Sequence, residues 1–102
     1  MLRNIIHFGL FEWDFVKDLV NRKKHGVDFA TAARAFLDPD RVVAIDEKHS
    51  GLEERLFCIG KVQNQILTVR YTKRDGRIRI IGAGRWRKEA KLYESKKQEK
   101  LR

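Results

Sequence analysis

The sequence predicts an α+β domain, an antiparallel sheet packed against two N-terminal helices with a closing C-terminal helix. Apolar residues recur at intervals of three and four up to about residue 38, and at intervals of two from Arg41 to Ala83. Helical and strand-like segments are thereby segregated rather than alternating. At 102 residues the chain has room for one core, so residues 1–102 are read as a single domain.

Taken in order, Ile5 to Trp13 is apolar with one glycine and reads as a short strand. Asp14 then offers a helix N-cap, and Phe15, Val16, Leu19, Val20 and Lys23 follow at three and four, the period of an amphipathic helix. Lys23-Lys24-His25 falls in the last turn, favourable against the helix dipole, and Gly26 supplies the left-handed cap. Val27-Asp28 opens a second helix, with Phe29, Ala32, Ala33, Phe36 and Leu37 on its buried stripe. Asp38-Pro39 ends it, because proline disfavours the α conformation in its predecessor.

Four strands follow, Arg41–Asp46, Arg55–Val62, Ile66–Thr72 and Arg77–Ala83, rich in Val, Ile, Phe and Tyr. A polar stretch, Glu47–Glu54, links the first two. Asn64-Gln65 and Asp75-Gly76 read as hairpin turns, and Asp-Gly suits the type I′ geometry with positive φ at both positions. Trp86 to about Glu99 reads as the closing helix, with Ala90, Tyr93 and Leu101 inward and a basic tail frayed from about residue 95.

The charge is unevenly placed. Net charge is +9, yet residues 1–64 carry ten basic and ten acidic side chains, so the excess lies in 65–102 and runs through predicted strands. Polyanions are the natural partners of such a balance. One cysteine, Cys58, cannot form an internal disulfide and reads as an inert buried thiol. With no secretory signal, this suggests a reducing cytoplasm. No apolar run is long enough to span a membrane. Three scattered histidines and one cysteine do not make a metal site of recognised spacing, and no cofactor is expected.

A two-residue loop at Asp75-Gly76 places Arg74 opposite Arg77, Thr72 opposite Arg79 and Arg70 opposite Ile81. Those residues then share one face, while Val69, Tyr71, Ile78 and Ile80 line the other. Continuing by twos adds Ala83 and Arg85 to the cationic side, and the preceding hairpin adds Arg55, Phe57 and Ile59. Like charges opposite one another destabilise a sheet. Either the arginines splay toward carboxylates such as Glu53 or Glu54, or they form a surface that holds phosphates, each guanidinium gripping two oxygens. The lysines of 88–97 would add a diffuse attractive field.

These residues resemble a known family, the BrnT-like toxins of bacterial toxin–antitoxin pairs. The shared motifs are Phe11-Glu12-Trp13-Asp14, Lys17, Asn21, Lys24-His25-Gly26-Val27 with Phe29, then Phe36, Asp38-Pro39, Asp46, His49-Ser50, Glu54-Arg55 and Ile59-Gly60. Tyr71-Thr72, Arg79-Ile80-Ile81 and Tyr93-Glu94 complete the set, so the likeness covers about residues 11–94 in order. The resemblance implies a RelE-like fold and metal-independent endoribonuclease activity that inhibits translation. It also implies a cognate BrnA-like antitoxin with a ribbon-helix-helix domain, a heterotetramer, and contact with operator DNA only through that antitoxin. One departure is local: many relatives carry Ser-Ala-Arg after the last strand, whereas this chain reads Gly82-Ala83-Gly84-Arg85-Trp86.

RNA cleavage without a metal uses the 2′-hydroxyl as nucleophile and needs a base, an acid and cations for the phosphorane charge. The candidate catalytic residues are Arg79 and Arg85 on the scissile phosphate, helped by Arg55, with Lys24 and His25 approaching from the corner between the helices. Arg70, Arg74, Arg77, Trp86, Arg87 and Lys88 are candidate RNA-binding residues, Trp86 through stacking on a base. Each has a structural alternative: His25 as a helix-capping side chain, Trp86 and Trp13 as core, His49-Ser50 as a clamp on its loop, Glu54 as the ion-pair partner of Arg55. Two other functions compete with the nuclease, a non-catalytic RNA- or DNA-binding module and a protein-only interaction domain. Only the nuclease predicts new RNA ends.

Overall fold

A computed structural model describes residues 4–101. Among them are strands β1 (Ile5–Phe8), β2 (Phe11–Asp14), β3 (Val42–Ile45), β4 (Leu56–Val62), β5 (Gln65–Arg74) and β6 (Arg77–Gly84). The helices are α1 (Phe15–His25), α2 (Phe29–Ala33) and α3 (Arg87–Lys100), so the region expected to fray from about residue 95 continues α3. The six strands form one sheet in the order β1-β2-β6-β5-β4-β3.

The architecture is α+β, but the sheet is mixed rather than antiparallel. Phe11 and Glu12 of β2 pair in parallel with Ile78 and Arg79 of β6. The segment Ile5–Trp13, expected as one strand, reverses at Gly9 (φ 60°) into the β1–β2 hairpin. That reversal gives β2 the same direction as β6.

The Asp75-Gly76 hairpin follows the sequence, whereas the β4–β5 turn falls at Gln63-Asn64, one residue ahead of the expected Asn64-Gln65, which leaves the parity of β4 unchanged. Gln63 and Asn64 take positive φ between Val62 and Gln65, and Asp75 and Gly76 do so between Arg74 and Arg77. Arg74 stands opposite Arg77 and Thr72 opposite Arg79, as the loop length requires. The register then shifts. A bulge leaves Ile81 unpaired, so Arg70 faces Gly82 and not Ile81, and Val69 faces Ala83. Ala83, expected on the cationic side, is fully buried in the core, because one extra residue reverses the parity of everything after it.

The core face of the sheet presents Cys58, Leu67, Val69, Tyr71 and Ile80, which pack with Phe29, Ala32, Ala33 and Ala35 of α2 and the 3-10 turn Arg34–Leu37 that continues it. Gly60 is required there: a Cβ would collide with the Ala35 carbonyl, so the turn rests directly on β4. Leu37, expected inward, is exposed because the tighter 3-10 winding rotates it off the stripe. On the opposite face α3 packs against β4 and β5 through buried Tyr93, while Leu101 stays exposed. Tyr93 donates its hydroxyl to Asp38 Oδ2 (2.6 Å), which also accepts from the Lys61 N–H (2.7 Å).

Helix α1 begins and ends as the sequence predicts. Asp14 Oδ1 caps the Val16 and Lys17 N–H groups, and Gly26, at φ 70°, donates to the Arg22 carbonyl. Its apolar stripe, however, faces solvent: Phe15, Val16, Leu19 and Val20 are 42–58% exposed. The buried residue of α1 is Asn21, whose Nδ2 donates to the Val27 (2.8 Å) and Ala83 (2.9 Å) carbonyls while Oδ1 accepts from the Ala83 N–H (3.2 Å). One amide thus satisfies an edge position of β6 as a neighbouring strand would. That polar anchor, rather than the apolar stripe, decides which side of α1 meets the sheet.

Candidate functional site

Register aligns the site. Thr72 faces Arg79, and Arg79 faces Glu12. Arg55, just ahead of β4, continues that row beyond Thr72, and its carbonyl accepts the Asp46 N–H (2.8 Å). Asp46, Arg55, Thr72, Arg79 and Glu12 therefore cross the sheet on one face. Phe57, Arg70 and Gly82 form the next row, so Arg70 and Arg79 share a face. Arg74 and Arg77 close it at the hairpin end.

The like-charge conflict is resolved by carboxylates shared between guanidiniums. Glu12, nearly buried, accepts from Arg79 Nε (2.6 Å) and lies 3.2 Å from Arg77 Nε. Arg77 Nη2 also donates to the Gly9 carbonyl (2.6 Å). Glu53 accepts from Arg74 Nε (2.7 Å) and Nη2 (3.0 Å), with Arg55 Nη2 at 4.0 Å. The hydrogen bonds from Arg74 hold the Glu53 carboxyl below its ordinary pKa, and Glu53 raises that of Arg74. Two carboxylates serve four guanidiniums, which leaves half of that cationic charge uncompensated. Arg55 thus shares Glu53, whereas the adjacent Glu54 is exposed and engages Thr72 through its carbonyl (2.7 Å).

Helix α1 walls this face. Between it and the sheet lies a cleft of about 380 Å³ lined by Asp14, Lys17, Arg55, Arg74, Arg79 and Ile81. A second cavity of about 260 Å³ adjoins it, lined by Val16, Val20, Lys24, His25, Arg70 and Trp86 among others. Lys17 and Ile81 border both. A larger cavity, about 440 Å³ around Asp38, Lys61, Tyr93 and Lys97, lies elsewhere and gathers no arginine cluster from the strands.

Of the residues singled out from the sequence, Arg55, Arg74 and Arg79 meet in the cleft, and Lys24, His25, Arg70 and Trp86 meet in the adjoining cavity. Arg77 is turned toward β1 and β2. Arg85 does not join them. Beyond the bulge it points to the opposite end of the sheet, donates to Gln65 Oε1 (3.0 Å), and lies beside Gly26. Arg87 and Lys88 are exposed on the first turn of α3. The His25 ring meets Trp86 edge-on at 5.4 Å, and the Trp86 ring lies over Gly84, where a Cβ would collide with it.

His49 and Ser50 fasten their loop. His49 Nδ1 lies 2.8 Å from Asp46 Oδ2, and Ser50 Oγ donates to the Asp46 carbonyl and accepts from the Arg55 N–H. Asp46 Oδ2 also stands 4.0 Å from Arg70 Nε. The loop that positions Arg55 is therefore tied to the row beside it. Burial pushes the Cys58 thiol up to about 12, as suits an inert core cysteine. Among the described residues no group of three His, Cys, Asp or Glu side chains is placed to hold a metal ion, and no helix is long and apolar enough to cross a membrane.

The sequence did not single out Lys17 or Glu12 as site residues. Lys17, Asn21 and Lys24 recur at four and three along α1, a signal available in the sequence. Glu12 was hidden, since its partnership depends on a parallel pairing across 67 residues.

A family model for the ribonuclease toxin BrnT of type II toxin–antitoxin systems matches residues 13–89. No curated protein matches the chain.

Proposed function

The chain belongs to the BrnT family of ribonuclease toxins of type II toxin–antitoxin systems, and from that premise we propose that the cleft between α1 and the sheet cleaves RNA without a metal ion. Support comes above all from the convergence of Lys17, Arg55, Arg74 and Arg79 on one cleft, where the arginines have only the shared carboxylates Glu12 and Glu53 as ion-pair partners. In this reading the 2′-hydroxyl attacks the adjacent phosphorus, the P–O5′ bond breaks, and the 5′-oxygen leaves with a proton. The products are a 2′,3′-cyclic phosphate and a 5′-hydroxyl. Arg79 and Arg55 neutralise the phosphorane, and Lys17 adds charge from the helix side. Proton transfer is assigned to His25, whose imidazole lines the adjoining cavity with Lys24 beside it. His49 keeps the structural task of holding the loop through Asp46.

The partner is an antitoxin, as the toxin class requires. In this proposal it is a BrnA-like ribbon-helix-helix protein, forms a heterotetramer with the toxin, and covers the cationic cleft, so RNA and antitoxin compete. The toxin would act in the cytoplasm and inhibit translation through loss of transcripts. The RelE-like topology belongs to the same proposal, supported by the α+β architecture with its cationic sheet face.

Induced expression with and without the neighbouring antitoxin, followed by mapping of transcript ends, tests the proposal. New ends carrying cyclic phosphate and lost in Arg79→Ala support it. Growth arrest without new ends would favour a binding module that lacks chemistry.

A further inference from the structure

We propose that the smaller cavity, between α1 and the bulge of β6, receives one unpaired nucleobase next to the cleaved phosphate, which makes unstacked single-stranded RNA the substrate class. The proposal rests on the ribonuclease reading and deepens it. Three observations carry it. First, the cavity of about 260 Å³ shares Lys17 and Ile81 with the cationic cleft, so an occupant carries its anionic neighbour into the arginines. Second, its walls are apolar where folding does not call for it: Val16 and Val20 are 58% and 56% exposed. A base offers two apolar faces to such walls and a polar edge to the Lys24 and Arg70 rim.

Third, the bulge makes the room. Leaving Ile81 unpaired places a glycine opposite Arg70, and a Cβ on Gly82 would find no atom nearer than 3.8 Å. Bulges re-aim side chains beside sites, and a strand glycine marks where another group comes close. The two neighbouring glycines of the sheet core differ, since Gly60 and Gly84 are each pressed by protein. At Gly82 a Cβ would meet Asn21 Oδ1 at 3.8 Å and Arg70 Cδ at 4.0 Å, ordinary contact without a clash, on a backbone that an L-residue can adopt. An aliphatic side chain of a protein segment would also fit the walls, but the cationic rim and the continuity with the arginine cleft favour a nucleotide.

Gly82→Val fills the cavity and tests the idea. The probes are a short RNA spanning a mapped cleavage site and the same RNA with an abasic nucleotide beside the scissile phosphate. Wild type should lose at least tenfold in kcat/KM on the abasic RNA. Gly82→Val should lose a similar factor on the intact RNA and none further on the abasic one, with an unchanged melting midpoint. A form blocked by 2′-deoxy substitution should quench the Trp86 fluorescence of the Trp13→Phe protein only when the base is present. If wild type cleaves no RNA, the ribonuclease reading fails, while base-dependent quenching would still support the subsite. Equal cleavage by Gly82→Val and wild type overturns the proposal. So does equal loss on both RNAs, or weakened antitoxin binding with intact cleavage, which would assign the cavity to the partner protein. If Gly82→Val proves unstable, Val20→Trp blocks the same space from α1 and is read the same way.

Discussion

Glu12 and Arg79 face each other across the parallel β2–β6 pair, with Arg79 Nε 2.6 Å from Glu12 Oε2. The carboxylate is nearly buried and also neighbours Arg77. It orients Arg79 without cancelling the charge of both guanidiniums. Arg79→Ala is therefore expected to slow single-turnover RNA cleavage by about 2–4 kcal/mol of transition-state stabilisation, while Arg77 keeps Glu12 from being left alone. Denaturant midpoints measured in parallel separate chemistry from folding. A cleavage rate within threefold of wild type would remove Arg79 from the mechanism.

Arg55 and Arg85 should separate sharply. Arg55 lines the cleft, whereas Arg85 donates to Gln65 at the far end of the sheet. Arg55→Ala is expected to reduce kcat at least tenfold. Arg85→Ala should leave kcat within about twofold and change only the salt dependence of RNA binding, where each lost phosphate contact removes about 0.7 from the slope for single strands. Comparable losses in both variants would mean that RNA reaches the Arg85 end during catalysis.

What the sequence disclosed depended on the range of the interaction. Turn chemistry at Asp75-Gly76 set the register of β5 and the first half of β6, and a two-residue loop near Asn64 fixed the parity of β4, so Arg55, Arg70, Arg74 and Arg79 could be placed on one face. Caps at Asp14 and Gly26 were equally local. The bulge at Ile81 has no such local signal; it stands two residues before Ala83, which Asn21 of α1 grips across 62 residues. Counting by twos therefore sent Ala83 and Arg85 to the wrong side. The α1 stripe misled for a related reason, because apolar spacing predicts an inward face only when no polar anchor overrides it.

Low pH should loosen the attachment of α3. Burial would raise the Asp38 pKa, but the hydrogen bonds from Tyr93 and from the Lys61 and Asp40 N–H groups, with the Lys97 charge, outweigh it and lower the value from 3.8. A carboxyl lowered on folding adds stability above its unfolded pKa and loses it as pH falls through the folded one. Wild type should thus lose stability between about pH 5 and pH 2 more steeply than Asp38→Asn. Tyr93→Phe removes a hydrogen bond to a charged acceptor and should cost about 1.5–3 kcal/mol at pH 7. Urea titrations across that range decide it, and parallel curves for wild type and Asp38→Asn would show that Asp38 contributes nothing to the slope.

The outer half of the exposed α1 stripe, Phe15 and Leu19, should answer to the antitoxin rather than to RNA. Phe15 and Leu19 are 42% and 44% exposed and border neither the arginine cleft nor the adjoining cavity. Since α1 is anchored by Asn21, folding does not require them to be apolar. Lys17 and Lys24 lie on the same helix toward the cleft, so a protein segment with apolar and acidic residues seated there would also block access to the arginines. Leu19→Asp is expected to weaken antitoxin binding at least tenfold, leave free-toxin cleavage within twofold, and leave the melting midpoint unchanged. Titration calorimetry with the cognate antitoxin, paired with a cleavage assay on the free toxin, provides the check. Unchanged antitoxin affinity would place the partner on another surface, and lost cleavage would show that RNA itself crosses the outer face of α1.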